Sequence, residues 1–477
     1  MSKKIDVSRR TFLQAGSAAL TLPLAAALPA VAQPRPQGPG RHAAGPHHEH
    51  GSRPATIPYR ELPVRQRGAT VIPVDPPTDG VSDCSVAIQA AINALPEDGG
   101  TVLVRYHRTH APNDDTDCVY MINTLANRQT TGQKPYYGIQ LRSNMLLQFE
   151  PGVQLQAMPN NVDRAYMIFA SGIHDVEIAN GIFIGERFTH TNSGKGTATD
   201  EWGYGIAIVA VDGMTVRSTH VADFEGDGIS IARSGGTTST DVVLWDIVST
   251  GNRRQALSIT SGNGLYLYDS EFSETHGTAP CDGIDIEGSV SNVWVDNCLF
   301  ANNQGNGIEL NGSSSTVTIS NINVTNSRFT GNYAGIYVGA RATSTMDTAT
   351  IYGNAFYQNR NVGVKVGGPA TRNFSIGGSS PCDPKNNSFA NNSFTADHQL
   401  LYPLSAKKAI QGYVGAPDMD ASPFAQSSES NDVFGWNYYY SADGGSTTPY
   451  PCGRGLGHDD PQPGHGNDDD HGHSGNH

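Results

Sequence analysis

Short segments in which hydrophobic and polar residues alternate recur through the middle of the chain. Seven of them align, at residues 204–208, 227–231, 255–259, 282–286, 306–310, 334–338 and 362–366. Their second position is Gly in six copies and Ala256 in the third, and successive copies start 23 to 28 residues apart. An alternation with a period of two is the pattern of a β-strand, so the sequence predicts a repeated strand.

A second alternating segment lies between these copies. Examples are residues 242–245, 265–268, 293–295 and 349–352, and Asn- and Gly-rich turns such as 302–305 follow them. A repeat of about 25 residues with two or three short strands fits one coil of a parallel β-solenoid, in which each coil buries its apolar row against the next. Leucine-rich repeats need a helical half, and propeller blades need about forty residues or more, so neither fits.

A short helix is predicted before the repeats. Asp83 is placed to cap it, and Pro96 with Gly99 and Gly100 ends it. Its predicted apolar face consists of Val86, Ile88, Ala91, Ile92 and Leu95. We expect this helix to close the open N-terminal end of the solenoid.

Both ends of the chain differ from this central region. Residues 8–13 read Ser-Arg-Arg-Thr-Phe-Leu before a short apolar run, which resembles a twin-arginine export signal ending at Ala32. The expected organisation is a signal peptide over 1–32, a disordered Pro- and His-rich linker over 33–57, a β-helix catalytic domain with a C-terminal extension over 58–441, and a disordered Asp- and His-rich tail over 442–477. The tail is interpreted as a solvated segment, with metal capture as the alternative.

Composition and charge narrow the function. The 477 residues include 54 Gly and only 16% charged residues, which disfavours helical bundles and coiled coils. A net charge of -14 repels polyanions, so neither nucleic acid nor a membrane surface is an expected partner. The six cysteines show no C-x-x-C spacing, which favours disulfides or buried thiols over metal or redox work.

The upstream strands at 101–104, 138–147 and 152–155, together with the repeats, carry a family resemblance. The chain resembles the right-handed parallel β-helix proteins of the pectate lyase and polygalacturonase superfamily over residues 72–394. The resemblance implies an all-β right-handed solenoid. Its members include hydrolases, lyases, epimerases and phage tailspikes. In the segment similar to the polygalacturonase aspartate pair, Gly228 stands in place of the second Asp.

Acidic residues gather on the predicted outward face of the middle coils. Because the residue after each Gly points inward, Asp285, Glu287 and Glu309 point outward. Asp282 lies at the edge of this group, and Asp227 lies about two coils away. Five neighbouring carboxylates repel one another and raise at least one pKa, as a general acid requires. A solvated acidic ladder or a calcium site is the structural alternative.

Roles are assigned from this arrangement. The predicted catalytic residues are Asp227, Asp282, Asp285 and Glu287. The predicted substrate-binding residues are Arg253, Arg254, His276, Glu309, Tyr337, Lys365 and Trp202. No resident metal is assigned and no cofactor is required, with calcium as the one candidate ion. The solenoid spacings span both the retaining and the inverting geometry, so the stereochemical outcome stays open.

Three functions compete at this stage. The first is an exported monomeric glycoside hydrolase that acts on a polysaccharide or oligosaccharide in the periplasm or outside the cell. The second is a polyuronate lyase or epimerase, of the pectate or alginate type, which needs a Lys, Arg, His or Tyr base. The third is a non-catalytic glycan-binding surface protein.

Overall fold

The computed structural model describes residues 62–392, apart from 78, 108–117, 131, 133, 192–200, 313–315, 341, 342, 368–370, 379–382 and 391, together with three short strands at 413–414, 433–434 and 438–440. The predicted signal peptide, linker and tail lie outside the described residues, as do Cys382 and Cys452.

The chain is a right-handed parallel β-helix with three strand-bearing faces, as its sequence predicts. The first face carries the aligned segments, as β5 (Tyr136–Gln140), β8 (Ala165–Ser171), β11 (Tyr204–Val209), β13 (Asp227–Ala232), the start of β15 (Gln255–Tyr268), the start of β17 (Ile284–Asp296), β19 (Ile308–Gly312), β22 (Ala334–Ala340) and β25 (Val362–Gly367). The register runs in parallel from one coil to the next, so each face is a continuous sheet along the solenoid.

The second and third faces complete each coil. The second is made of β1 (Val71–Val74), β2 (Gly100–Val104), β6 (Met145–Phe149), β9 (His174–Ala179), β12 (Asp212–Ala222), β14 (Thr240–Thr250), the ends of β15 and β17, β20 (Thr318–Thr325), β23 (Thr345–Tyr352), β26 (Thr371–Ile376) and β29 (Val433–Phe434). The third is made of β3 (Val119–Ile122), β7 (Gln154–Ala157), β10 (Ile182–Ile184), the ends of β12 and β14, β16 (Glu271–Ser273), β18 (Leu299–Ala301), β21 (Arg328–Thr330), β24 (Ala355–Tyr357), β27 (Ser388–Ala390) and β30 (Tyr438–Tyr440). The short strand β4 (Asn127–Arg128) pairs antiparallel with β5.

The core consists of stacked columns. Ile229, Leu257, Ile284 and Ile308 are register partners in consecutive coils and are almost fully buried, which confirms the predicted inward column. Phenylalanines form a second column with ring centroids 4.6 to 5.5 Å apart, from Phe272 through Phe300, Phe329 and Phe356 to Phe389. Each coil therefore buries its apolar row against its neighbours.

Buried asparagines close the turns between faces. Asn303 Nδ2 donates to Asn332 Oδ1 at 2.8 Å, and Asn332 Nδ2 donates to Asn359 Oδ1 at 3.1 Å. The same side chains also donate to backbone carbonyls, such as that of Phe300. These ladders satisfy backbone groups that the turns would otherwise bury without partners.

The recurring Gly has a packing reason. A Cβ at Gly307 would lie 2.6 Å from the Gly335 carbonyl oxygen, and a Cβ at Gly283 would lie 2.5 Å from that of Gly307. Coils approach so closely here that a side chain does not fit. The repeated Gly therefore marks backbone contact between coils.

The helix α1 (Ser85–Ala94) packs on the first coils as predicted, with two differences. Ile88 and Ile92 are buried in the core, but Val86 is exposed. Cys84 occupies the cap position, while Asp83 Oδ1 accepts a hydrogen bond from the Ser85 backbone N–H at 2.9 Å. Val86 is exposed because it lies on the side of the helix that faces away from the solenoid. No helix among the described residues is long and apolar enough to cross a membrane.

The solenoid continues beyond the predicted end at residue 394. The strands β29 and β30 pair in parallel with β26 and β27. A further strand, β28 (Tyr413–Val414), pairs antiparallel with β25. Part of the extension thus adds strands to the last coil, and part reverses direction against it. The side chains of this extension lie outside the described residues.

Candidate active site

The outward face of the first sheet brings the predicted acidic residues together. We name Asp227, Asp282, Asp285, Glu287 and Glu309 the acid cluster. Asp285 and Glu309 are register partners on β17 and β19, so they lie about 4.8 Å apart in backbone spacing. Glu287 follows Asp285 by two residues on the same face, and β13, which carries Asp227, is separated from β17 by β15.

The acid cluster has a buried part and an accessible part. Asp227 and Asp282 are 0% exposed and Asp285 is 1% exposed, whereas Glu287 and Glu309 are only partly buried. Three of the four predicted catalytic residues therefore lie beneath the surface. Glu287 and Glu309 are the members of the cluster that a bound molecule can contact directly.

Burial is the main cause of the pKa shifts in the cluster. It raises the pKa of Asp227 to about 6, although the neighbouring Arg254 favours the charged form. It raises the pKa of Asp285 and Asp282 well above the usual range, and nearby carboxylates add to both shifts. The pKa of Glu309 is also raised by burial, against hydrogen bonds that lower it. Burial thus disfavours the ionised form of each buried acid.

Arg254 is the cation of the cluster. Its Nη1 lies 3.2 Å from Asp227 Oδ2, and its side chain is 8% exposed. Attraction to Asp227 and to other cluster carboxylates raises the pKa of Arg254 above its ordinary value, despite the burial that opposes it. Arg254 therefore stays charged and offsets part of the negative charge.

Arg253 points to a different acid. It forms an ion pair with Glu225, whose side chain is 1% exposed. Burial raises the pKa of Glu225 to about 7. The sequence did not single out Glu225, because it lies in a turn outside the aligned columns. Only its place two residues before Asp227 could have drawn attention to it.

Two amide residues complete the cluster. Gln255 Nε2 donates to Asp285 Oδ2 at 2.8 Å, and Asn306 Nδ2 donates to Glu309 Oε2 at 3.1 Å. Both residues are the first position of an aligned segment. Because their side chains are uncharged, the sequence did not identify them as part of a site. They orient two of the carboxyl groups.

The remaining predicted binding residues flank the cluster on both sides. Lys365 Nζ lies 4.9 Å from the ring centre of Tyr337, and Tyr337 is the register partner of Glu309. On the other side, Arg164 Cζ lies 4.0 Å from the Trp202 ring centre. His276 is exposed on a turn, where its carbonyl accepts a hydrogen bond from Arg187 Nη2 at 2.5 Å.

The neighbourhood of Trp202 is aromatic. Tyr204 stacks on Tyr166 with ring centroids 4.9 Å apart, and Tyr166 contacts Phe169. The outward face thus changes along the solenoid from aromatic, through acidic, to the Tyr337 and Lys365 pair. A linear polymer lying along this face would meet all three regions in turn.

The structure bears on the cysteine and metal predictions. Cys84, Cys281 and Cys298 are buried free thiols, which agrees with the buried-thiol interpretation. Across the described ranges, no three His, Cys, Asp or Glu side chains are arranged to hold a metal ion. A bound calcium ion stays a prediction.

Comparisons with known proteins bear on the fold. A family described as "Right handed beta helix region" matches residues 180–356. Among curated proteins, "Uncharacterized protein YclG" of Bacillus subtilis is 26% identical over 222 residues, covering 44% of this chain and 36% of YclG. The prophage-derived protein YorA of the same organism is 30% identical over 188 residues, covering 35% of this chain and 32% of YorA. The chain spans about a third of the length of these relatives.

Solved structures with a similar path include two enzymes. The A-module of the mannuronan C-5 epimerase AlgE6 of Azotobacter vinelandii is 17% identical, with a TM-score of 0.45, covering 66% of this chain and 91% of the module. An exopolygalacturonase of Thermotoga maritima is 12% identical, with a TM-score of 0.43, covering 69% of this chain and 82% of the enzyme. The family match and the three parallel faces agree that this chain carries a right-handed β-helix region.

Proposed function

We propose that this chain is an exported carbohydrate-active enzyme, and that it is a glycoside hydrolase. The observation that carries the proposal is the pair of accessible carboxylates, Glu287 and Glu309, at the centre of an otherwise buried acid cluster. Glycoside hydrolysis needs two carboxyl groups that flank the scissile bond, one of them with a raised pKa.

Glu309 is the general acid in this proposal. Burial raises its pKa, so it holds a proton to higher pH than an exposed Glu, and it remains partly accessible. A carboxylic acid that keeps its proton near neutral pH can protonate the leaving oxygen of a glycosidic bond.

Glu287 is the second carboxylate. It lies two residues along β17 from the register partner of Glu309, which places the two backbones about 8 Å apart along the diagonal. Retention and inversion depend on the separation of the carboxyl groups rather than of the backbones, so the stereochemical outcome stays open. We assign Glu287 as the carboxylate that works with Glu309, either as the nucleophile or as the base that activates water.

The cations around the cluster favour a neutral glycan over a polyuronate. Arg254 is paired with Asp227, and Arg253 is paired with Glu225. Lys365 lies against Tyr337. A polyuronate needs cations that it can contact, whereas a neutral chain needs hydroxyl partners and aromatic surfaces.

A polyuronate lyase or epimerase is the second candidate. The observation that favours it is the placement of Tyr337 beside Glu309, with the Lys365 ammonium over the Tyr337 ring. Such chemistry uses a Lys, Arg, His or Tyr side chain as its base, and Tyr337 and Lys365 are both of these types. Export itself rests on the sequence motif at residues 8–13.

A polysaccharide screen tests the proposal. New reducing ends without an unsaturated-uronate absorbance indicate hydrolysis, unsaturated products indicate a lyase, and retention without products indicates binding. Glu309→Gln and Glu287→Gln should each lower turnover about 10² to 10⁴-fold, while the exposed control Glu97→Gln should keep it. Full activity in both Gln variants contradicts the assignment of these two residues.

A further inference from the structure

One residue, Asn306, holds two carboxyl groups at once. Its backbone N–H donates to Asp282 Oδ1 at 2.5 Å, and its side-chain Nδ2 donates to Glu309 Oε2 at 3.1 Å. Asp282 lies just before β17 and Glu309 lies on β19, the neighbouring strand. Asn306 is 7% exposed, so both hydrogen bonds are shielded from water.

The backbone is shaped for this contact. Gly305 precedes Asn306, and a Cβ at Gly305 would lie 2.3 Å from Asp282 Oδ1 and 2.2 Å from the Pro280 carbonyl oxygen. Any other residue at 305 would push Asp282 away from the Asn306 N–H. The close approach of Asp282 to β19 is therefore built into the turn.

Asp282 and Glu309 lie together, with Asp282 completely buried and Glu309 partly accessible. The Oδ2 atom of Asp282 accepts no hydrogen bond within the described structure. Burial raises the pKa of both groups; in addition, Glu309 raises the pKa of Asp282, whereas a hydrogen bond with Asp282 lowers the pKa of Glu309. Two carboxyl groups this close cannot both ionise at low cost, so one proton is favoured between them.

We propose that Asp282 and Asn306 are positioning residues for Glu309, and that Asp282 and Glu309 form an acid pair that shares one proton. This inference rests on the proposed function for its catalytic meaning, but not for its physical test. Asn306 fixes one oxygen of Glu309. The shared proton passes from Glu309 to the leaving oxygen, and the pair takes up one proton from solvent before the next turnover. Asp282 does not touch substrate.

Other charged groups face Glu309 and are the same in every variant considered below. Asp285 and Glu287 lie on β17, Tyr337 lies on β22, and Lys365 lies one coil further. Within the cluster, Arg254 attracts Asp227, Glu287 and Asp285. Because these groups remain, changes in titration report on the pair itself.

The acid pair predicts shifts of opposite sign in two variants. Asn306→Ala removes a hydrogen bond that stabilises the Glu309 carboxylate, so Glu309 should lose its proton at higher pH. Asp282→Asn removes a carboxyl group that can ionise beside Glu309 and keeps an oxygen that can accept from the Asn306 N–H, so the last titration step of Glu309 should occur at lower pH. Each shift should reach about one pH unit or more, as for neighbouring ionisable groups.

Carbon-13 NMR of labelled carboxyl groups tests this without a substrate. In the full-length wild type, the Glu309 and Asp282 carbons should each report two titration steps. In Asp282→Asn, Glu309 should titrate in one step, and in Glu309→Gln, so should Asp282. Asn323→Ala, on the second face, is the control and should leave the wild-type curves unchanged. Glu309 is partly exposed and Gln has nearly the same shape, so Glu309→Gln should fold. This variant provides the test if Asn306→Ala does not fold.

The pH profile of turnover supplies the catalytic readout. Glu309 must be protonated to act as an acid, so the alkaline limb should move up in Asn306→Ala and down in Asp282→Asn. A single, unshifted Glu309 titration in all folded variants overturns the acid pair. Two-step titration in a protein that cleaves no glycan supports the pair and overturns the proposed function.

Discussion

At the scale of single residues, the main feature is that three of the five carboxyl groups of the acid cluster are buried. Asp227, Asp282 and Asp285 are buried, and burial raises the pKa of each. Buried carboxyl groups with shifted pKa values are common at functional sites, because burying them costs stability. The two accessible glutamates therefore work beside buried neighbours whose ionised form burial disfavours.

The first residue-scale prediction concerns pH and stability. A carboxyl whose folded pKa exceeds its unfolded value binds more protons in the folded state, so stability falls as pH rises. For Asp227 the window runs from 3.8, the ordinary pKa, to about 6. The free energy of unfolding, measured by urea titration, should therefore decline between about pH 4 and pH 6 and continue to decline as Asp282 and Asp285 ionise.

The second residue-scale prediction concerns Asp285→Asn. The amide keeps an acceptor for Gln255 Nε2 and removes the group that resists ionisation. At pH 8 the melting temperature should rise by about 2 to 4 °C, as expected for about 1 kcal/mol. Scanning calorimetry provides the measurement. The same change at Asp212, which is exposed on the second face, should leave the melting temperature unchanged, and a drop in Asp285→Asn contradicts the charge argument.

At the scale of strands and turns, sequence reasoning succeeded where the period is regular. The inward column at Ile229, Leu257 and Ile284 and the outward partners Asp285 and Glu309 follow directly from the alternation. The third-face strands, three residues long in most coils, are too short to show a period of two. The burial of the acidic side chains could not be predicted either. Alternation tells which face of the sheet a side chain lies on, but not which other residues cover it.

The residues of the site that lie in turns could not be predicted from the sequence. Glu225 and Arg253 pair across neighbouring turns that are 28 positions apart, and the two-residue alternation that gives the face of a strand residue does not extend into turns. The role of Asn306 could not be predicted for a different reason. It depends on one backbone and one side-chain hydrogen bond, which lead to residues of two different coils.

The asparagine ladder gives an element-scale prediction. Asn332→Ala removes the acceptor for Asn303 Nδ2 and the donor to the Phe300 carbonyl, and it leaves both groups buried. Each buried unsatisfied group costs about 1 to 3 kcal/mol, so the variant should lose at least about 2 kcal/mol. Denaturant unfolding measures this. Asn323→Ala, on the outer side of the second face, should lose less than about 0.5 kcal/mol.

At the scale of the whole molecule, the solenoid is a one-dimensional stack. Each coil contacts mainly the coils before and after it, so stability is a sum of coil and interface contributions. The first coil is closed by α1, and the last described coil is extended by β28, β29 and β30. The acid cluster lies on middle coils, between neighbours that hold it on both sides.

This stacking predicts that a substitution in one coil destabilises mainly that coil and its neighbours. Phe389→Ala ends the phenylalanine column at Phe356 and leaves a cavity in the last coils. Hydrogen exchange, read by mass spectrometry, should accelerate at least about tenfold in β25 to β27 and remain unchanged in β8 and β11. Equal acceleration along the whole chain shows instead that the solenoid unfolds as one unit.

The turn between Thr275 and Asp282 differs from the others in length, yet the ladder beneath it is closed. Thr275 Oγ1 donates to Asn303 Oδ1 at 2.7 Å and so takes the place that Asn holds in neighbouring coils. The loop is also tied to the preceding coil, because the His276 N–H donates to the Asn252 carbonyl at 3.3 Å and the Thr278 N–H donates to the Arg253 carbonyl at 2.9 Å. A redesign of its length must therefore keep these bonds, since Asp282 at the end of the loop would otherwise move with it.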